Sequence, residues 1–269
     1  MRAARYLRHF PIMLEPGFRR PLLNPEIRRR GIYLLPNIFT TAALIVGFYA
    51  IVQAMNQSFE NAAAAIFVAM VLDGLDGRVA RLTHTQSAFG AEYDSLSDMV
   101  CFGAAPALVM YEWALKELGR VGWIPALVFC VAAALRLARF NTNIHVVDKR
   151  FFQGLPSPAA AALVSGFVWL VNDNRIPVSA FGLPWLAAIL TIYAGITMVV
   201  SVPFLSFKDI NLRRAVPFVV VLLIVLAFVL ISTDPPVVLF LLFVAYGFSG
   251  YVHWAWRKLR RARRPTQLR

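Results

Sequence analysis

Four aspartates stand in the stretch DGLDGRVARLTHTQSAFGAEYDSLSD, residues 73–98, in a chain otherwise rich in apolar residues and poor in acid. Asp73 and Asp76 are three apart, and Asp94 and Asp98 are four apart. On a helix either spacing puts both carboxylates on one face, a turn from each other. Gly77 and Arg81 continue the first face, and Gly90 lies a turn before Asp94. Two helices joined near residues 83–89 would aim both pairs at one point. Four carboxylates converging in a low dielectric would be driven to protonate unless a cation neutralised them. Hard oxygen ligands suit Mg²⁺, Mn²⁺ or Ca²⁺, and a cluster of four suits a pair of ions. A single aspartate near a membrane helix end would read as a solvated or capping residue, and a cluster of four also suits the ion pathway of a divalent-cation transporter.

The elements that must position these carboxylates are membrane spans. The 269 residues are 59% hydrophobic and 15% charged, an apolar share well above that of soluble domains. The composition predicts an all-α, polytopic transmembrane bundle of one domain, with about eight spans near 36–56, 61–82, 90–116, 122–141, 157–172, 183–204, 214–232 and 236–256. The fifth is short for a crossing. Of 27 Lys and Arg, 24 fall on one side if the N-terminus is inside, leaving Lys116, Arg120 and Arg175 outside. Both termini are therefore expected in the cytoplasm, with the aspartates at the cytoplasmic boundary, whereas a transporter's coupling site lies nearer the midplane. The net charge of +13 sits at span ends, which argues against nucleic acid as a partner. Residues 1–35, with eight Arg and four Pro, read as a basic segment for an anionic leaflet or as a solvated arm. The basic tail 257–269 reads as an anionic-lipid contact or as a topology determinant alone. No cleavable signal peptide is expected. Cys101 and Cys130 lie in apolar runs and read as packing residues.

Paired ions at a lipid–water boundary suit displacement at phosphorus, where they screen a diphosphate and stabilise the leaving phosphate. Arg81 would add a fixed cation, and Gly77 and Gly90 would let a ligand approach the backbone. The pattern Asp73-x-x-Asp76-Gly77-x-x-Ala80-Arg81, eight residues, Gly90, three residues, Asp94, three residues, Asp98 resembles the signature of the CDP-alcohol phosphotransferase family at every fixed position. The resemblance implies Asp73, Asp76 and Asp94 as principal metal ligands for Mn²⁺ or Mg²⁺. It implies Asp98 as general base and ligand near the second ion. Gly77, Ala80, Arg81, Gly90 and a hydroxyl at Ser87 would hold the cytidine diphosphate. Ser87 could equally be the N-cap of the third span. The resemblance also implies a homodimer.

Three further segments, LPNIFT at 35–40, ALRLARFN at 134–141 and FQGLPSPAA at 152–160, resemble the membrane-integral bacterial branch that uses CDP-diacylglycerol and L-serine. That branch works in phospholipid biosynthesis at the inner membrane. Asn37 would contact the diphosphate or cap the first span. Arg136 and Arg139, three apart, would fork the serine carboxylate or merely mark the cytoplasmic end of the fourth span. A sibling reaction on glycerol 3-phosphate or inositol phosphate stays open, because Arg136, Arg139, Lys149 and Arg150 could build a phosphate pocket.

Overall fold

The computed structural model describes residues 25–83, 85, 87–142, 151–173, 182–205 and 218–262. Most of these residues are helical, and among them the fold is all-α apart from one pair of three-residue strands. Among the described residues three helical stretches, Asn37–Met55, Trp123–Thr142 and Pro235–Arg260, are long and apolar enough to cross a membrane.

Helices α1 (Pro25–Met55) and α2 (Phe59–Thr83) form a hairpin around a tight turn in which Gln57 takes φ 59°. Small residues are buried along both, Ala43, Ala50 and Ala54 on α1 and Ala62, Ala63 and Ala69 on α2, and the two helices pack closely on each other. Lipid tails are as apolar as leucine, so helices in a bilayer associate through close packing, which small side chains permit.

The chain then forms α3 (Ala88–Asp98), a π-helical turn (Met99–Ala104) and α4 (Ala105–Trp113), together filling the third expected span. A 3₁₀ segment (Leu115–Val121) leads to α5 (Trp123–Thr142). Strand β1 (Phe151–Gln153) precedes α6 (Ser157–Asn172), and α7 (Leu183–Val199) precedes β2 (Pro203–Leu205). The strands pair antiparallel, Phe152 opposite Phe204. Helices α8 (Phe218–Thr233) and α9 (Pro235–Ala262) follow.

Helix α6 is the central post. Its bounds are those expected, and it packs against α2, α4, α7 and α9 with a buried run from Ala159 to Val168. Its length of about 24 Å is short for a crossing, and burial on nearly all sides compensates.

Several expectations are corrected. The first helix begins at Pro25, eleven residues before the expected opening at 36. Asn37 thus lies inside α1 and cannot cap it. The third span is not one uniform α-helix, because the π turn interrupts it directly after Asp98. The strand pair was not foreseen. Helix α9 continues to Ala262, beyond the expected 256. The remaining N-terminal residues 1–24, Lys149, Arg150, Arg175, the basic residues of 208–214 and the tail from 263 lie outside the described residues.

Candidate active site

The acidic cluster forms where α2 and α3 meet head to tail. Thr83 and Thr85 close the turn between them through hydroxyls 2.7 Å apart, and the Thr85 N–H donates to the Ala80 carbonyl at 3.1 Å. Ser87 is extended (φ −131°, ψ 155°) and accepts from the Gly90 N–H at 3.0 Å, so it is the N-cap of α3. This turn brings the two helix faces together. Asp73, Asp76 and Asp94 each offer an oxygen within 4.8 Å of the others. The carboxyl groups of Asp98 and Asp73 lie within hydrogen-bond reach of each other. Asp98 therefore stands at the edge of the triad, one turn deeper along α3. Asp76 is the most buried of the four, and Thr40 on α1 donates to its Oδ2 at 2.7 Å.

A cavity of about 260 Å³ opens beside the cluster, with Asp76 and Asp94 in its wall. All six residues expected at the nucleotide, Asn37, Gly77, Ala80, Arg81, Ser87 and Gly90, line it. The two glycines serve different ends. A Cβ on Gly90 would press on Ser87 Oγ at 3.1 Å and Asn37 Oδ1 at 3.4 Å, so this glycine lets α1 and the cap approach α3. A Cβ on Gly77 would meet only Arg81 Nη1, at 3.9 Å. Protein packing does not require that glycine, and the space it leaves belongs to the cavity.

The expected arginine pair separates. Arg136 of α5 interacts electrostatically with Asp98, and its Nη1 donates to Ser157 Oγ at 2.8 Å. Arg139 turns toward the end of α7, donating to the Val199 carbonyl at 2.9 Å and to Ser201 Oγ at 3.3 Å. The π turn helps to place Arg136. A Cβ on Gly103 would lie 3.2 Å from the Ala133 Cβ, so α5 packs directly on the turn after Asp98. Arg136 follows Ala133 by one helical turn. π turns inside α-helices recur at functional sites.

The sequence pattern of CDP-alcohol phosphatidyltransferases matches residues 33–203. The chain belongs to this family. It is similar to the CDP-diacylglycerol–serine O-phosphatidyltransferase of Helicobacter pylori, 35% identical over 223 residues that cover 83% of this chain and 92% of the relative. The enzyme of the same name from Methanocaldococcus jannaschii is 35% identical over 180 residues, 67% of this chain and 78% of the relative. That from Mycobacterium bovis is 42% identical over 149 residues, 53% of this chain and 52% of the relative.

For a CDP-alcohol phosphatidyltransferase a divalent metal is implied, and the residues present fit one. Three carboxylates converge within 4.8 Å, and a fourth keeps a buried Oδ1 that no protein group hydrogen-bonds. Two carboxyl groups in mutual contact need a shared proton or a cation to offset their repulsion. Three residues of the site had no assigned role from sequence: Thr40, Thr85 and Ser157. Thr40 could have been found as the hydroxyl one turn after Asn37.

Proposed function

We propose that this chain transfers the phosphatidyl group of CDP-diacylglycerol to the hydroxyl of L-serine, giving phosphatidylserine and CMP. The observation that carries this reading is a cavity lined by the six nucleotide-facing residues together with Asp76 and Asp94 of the acidic cluster. Likeness along most of the chain to relatives named for this reaction supports serine as acceptor.

In this reading Asn37, Gly77, Ala80, Arg81, Ser87 and Gly90 receive the cytidine diphosphate, with Arg81 paired to the diphosphate. Asp98 takes the proton of the serine hydroxyl. The serine oxygen forms a bond to the phosphatidyl phosphorus as the bridging oxygen bond breaks, and CMP leaves with the electron pair. Thr40 fixes Asp76 by its short hydrogen bond, and so sets the direction of the remaining Asp76 lone pairs. When bound, a pair of Mn²⁺ or Mg²⁺ ions held by Asp73, Asp76, Asp94 and Asp98 supplies neutralising charge to the diphosphate and to the leaving phosphate. Arg136 meets the serine carboxylate. Arg139 holds the end of α5 to that of α7 and so supports the same side of the site.

We further propose eight crossings, both termini in the cytoplasm, a site that opens to the cytoplasm, residence in the bacterial inner membrane and a homodimer. The 24-to-3 division of basic residues supports the orientation. Anionic lipid would meet the end of α9, where Lys258 stands 5.1 Å over the Trp254 ring and Arg260 lies 3.7 Å over Trp256. The deciding experiment offers purified protein CDP-diacylglycerol with Mn²⁺ or Mg²⁺ and, in turn, serine, glycerol 3-phosphate and inositol phosphate. CMP release with serine alone is expected, and EDTA should abolish it. Release with a phosphorylated acceptor instead would select the sibling reaction. Undiminished release in chelator would remove the metal from the reading.

A further inference from the structure

We propose that Thr85, in the turn between α2 and α3, selects the nucleotide base. A hydrogen-bond relay through Thr83 fixes its hydroxyl as an acceptor, which takes a bond from the exocyclic amine of cytosine and rejects uracil. This rests on the cytidine-diphosphate reading above and deepens it.

The relay follows from the number of protons. A threonine hydroxyl has one proton and two lone pairs. Thr83 Oγ1 lies 2.8 Å from the Val79 carbonyl oxygen, which has no proton to give, so the Thr83 proton is committed there. The Thr83 and Thr85 hydroxyls lie 2.7 Å apart, and the proton between them is therefore that of Thr85. Thr85 Oγ1 then has only lone pairs to offer a ligand, and among the described residues no other group bonds this hydroxyl. The backbone keeps it in this pose, because the Thr85 N–H donates to the Ala80 carbonyl at 3.1 Å and the residue is only 6% exposed.

Thr85 lines the cavity, at the end away from the carboxylates. From Asp76 the wall runs along α2 through Gly77, Ala80 and Arg81 to the turn. Asp76 to Arg81 is a rise of about 7.5 Å along the helix, and Thr85 lies beyond it. A diphosphate spanning the carboxylates and Arg81 leaves one end of the donor at the turn. In the proposed arrangement the diacylglycerol half points along α2 into the bilayer, so the water-soluble nucleoside takes that end. Cytosine carries an amine where uracil carries a carbonyl oxygen. An acceptor-only hydroxyl bonds the first and sets lone pairs against lone pairs of the second. A hydroxyl free to turn would suit either, so the selectivity lies in the relay and not in Thr85 alone. A ribose hydroxyl both donates and accepts, and would gain nothing from a fixed acceptor. Sites built to match one hydrogen-bonding group discriminate strongly, because the wrong ligand leaves buried polar atoms unmatched.

The test is the equilibrium affinity of the full chain, in detergent with Mn²⁺ present, for CDP and for UDP. Wild type should prefer CDP. Thr85→Val should weaken CDP about tenfold, the scale of one hydrogen bond to a buried partner, without weakening UDP. Thr83→Val keeps Thr85 but frees its proton to turn toward the ligand, so UDP should tighten several-fold with CDP nearly unchanged. Thr85→Ser keeps the hydroxyl and should keep the preference. A purely structural role would weaken both nucleotides alike and could not improve UDP. If Thr85→Val does not accumulate as folded protein, Thr83→Val carries the test. Wild type binding CDP and UDP alike, equal losses of both in Thr85→Val, or a Thr83→Val chain as selective as wild type would overturn the proposal. So would a Thr85→Val deficit that vanishes with 2′-deoxy-CDP, which would move the contact to the sugar. A wild-type chain that binds neither nucleotide would overturn the cytidine-diphosphate reading itself.

Discussion

At the scale of single residues the four aspartates divide by surroundings. Asp76 is buried and held by Thr40, whereas Asp98 sits one turn beyond Asp94 with a buried Oδ1 that no protein group hydrogen-bonds. Asp98→Asn preserves shape and one oxygen but removes the base. The expected loss is roughly 10²–10⁴ in single-turnover CMP release, with CDP-diacylglycerol binding kept. Loss of binding in step with rate would make Asp98 chiefly a ligand. Thr40→Val removes the hydroxyl that orients Asp76 at almost constant volume. Turnover at limiting Mn²⁺ should fall about 10–100-fold and recover as the metal concentration is raised. A deficit that saturating metal leaves untouched would assign Thr40 to another task.

At the scale of elements, two glycines offer opposite outcomes. Gly154 takes φ +82° between β1 and α6, and a Cβ there would lie 2.2 Å from the Met198 carbonyl oxygen. Gly154→Ala should cost about 1–3 kcal/mol of stability, read as a lower melting temperature in detergent. Gly77→Ala meets no protein atom nearer than 3.9 Å, so melting should hold while CDP-diacylglycerol affinity drops at least tenfold. Equal melting of both variants would contradict the packing described for Gly154. The α2 and α3 faces were legible from spacing because each pair of aspartates lies within one element, where helical period decides the neighbours. The bounds of α6 were legible because Pro156 and Asp173 punctuate an apolar run. The π turn was not, since a change of hydrogen-bond register by one residue leaves no mark on composition. The contacts of Thr40 with Asp76 and of Arg136 with Ser157 span 36 and 21 residues, and only tertiary packing makes them. Arg136 and Arg139 share a face of α5, yet three residues of helix rotate them enough to reach different neighbours.

At the scale of the whole molecule, the charge division predicts where its ends lie. With the native cysteines replaced, Asn174→Cys should react with an impermeant thiol reagent added to intact cells, and Ala262→Cys should not. The reverse pattern would invert the orientation. Order along the chain has a further consequence for this architecture. Helix α9 begins more than a hundred residues after Asp98, yet it packs on α6, whose Ser157 holds the arginine beside that carboxylate. A ribosome adding roughly 5–20 residues per second needs on the order of ten seconds to cover that distance. During this interval the nascent chain already displays its four carboxylates to the membrane surface, but the acceptor side of the site has no α9 to brace it. In the proposed reading, turnover would therefore wait until α9 has been made.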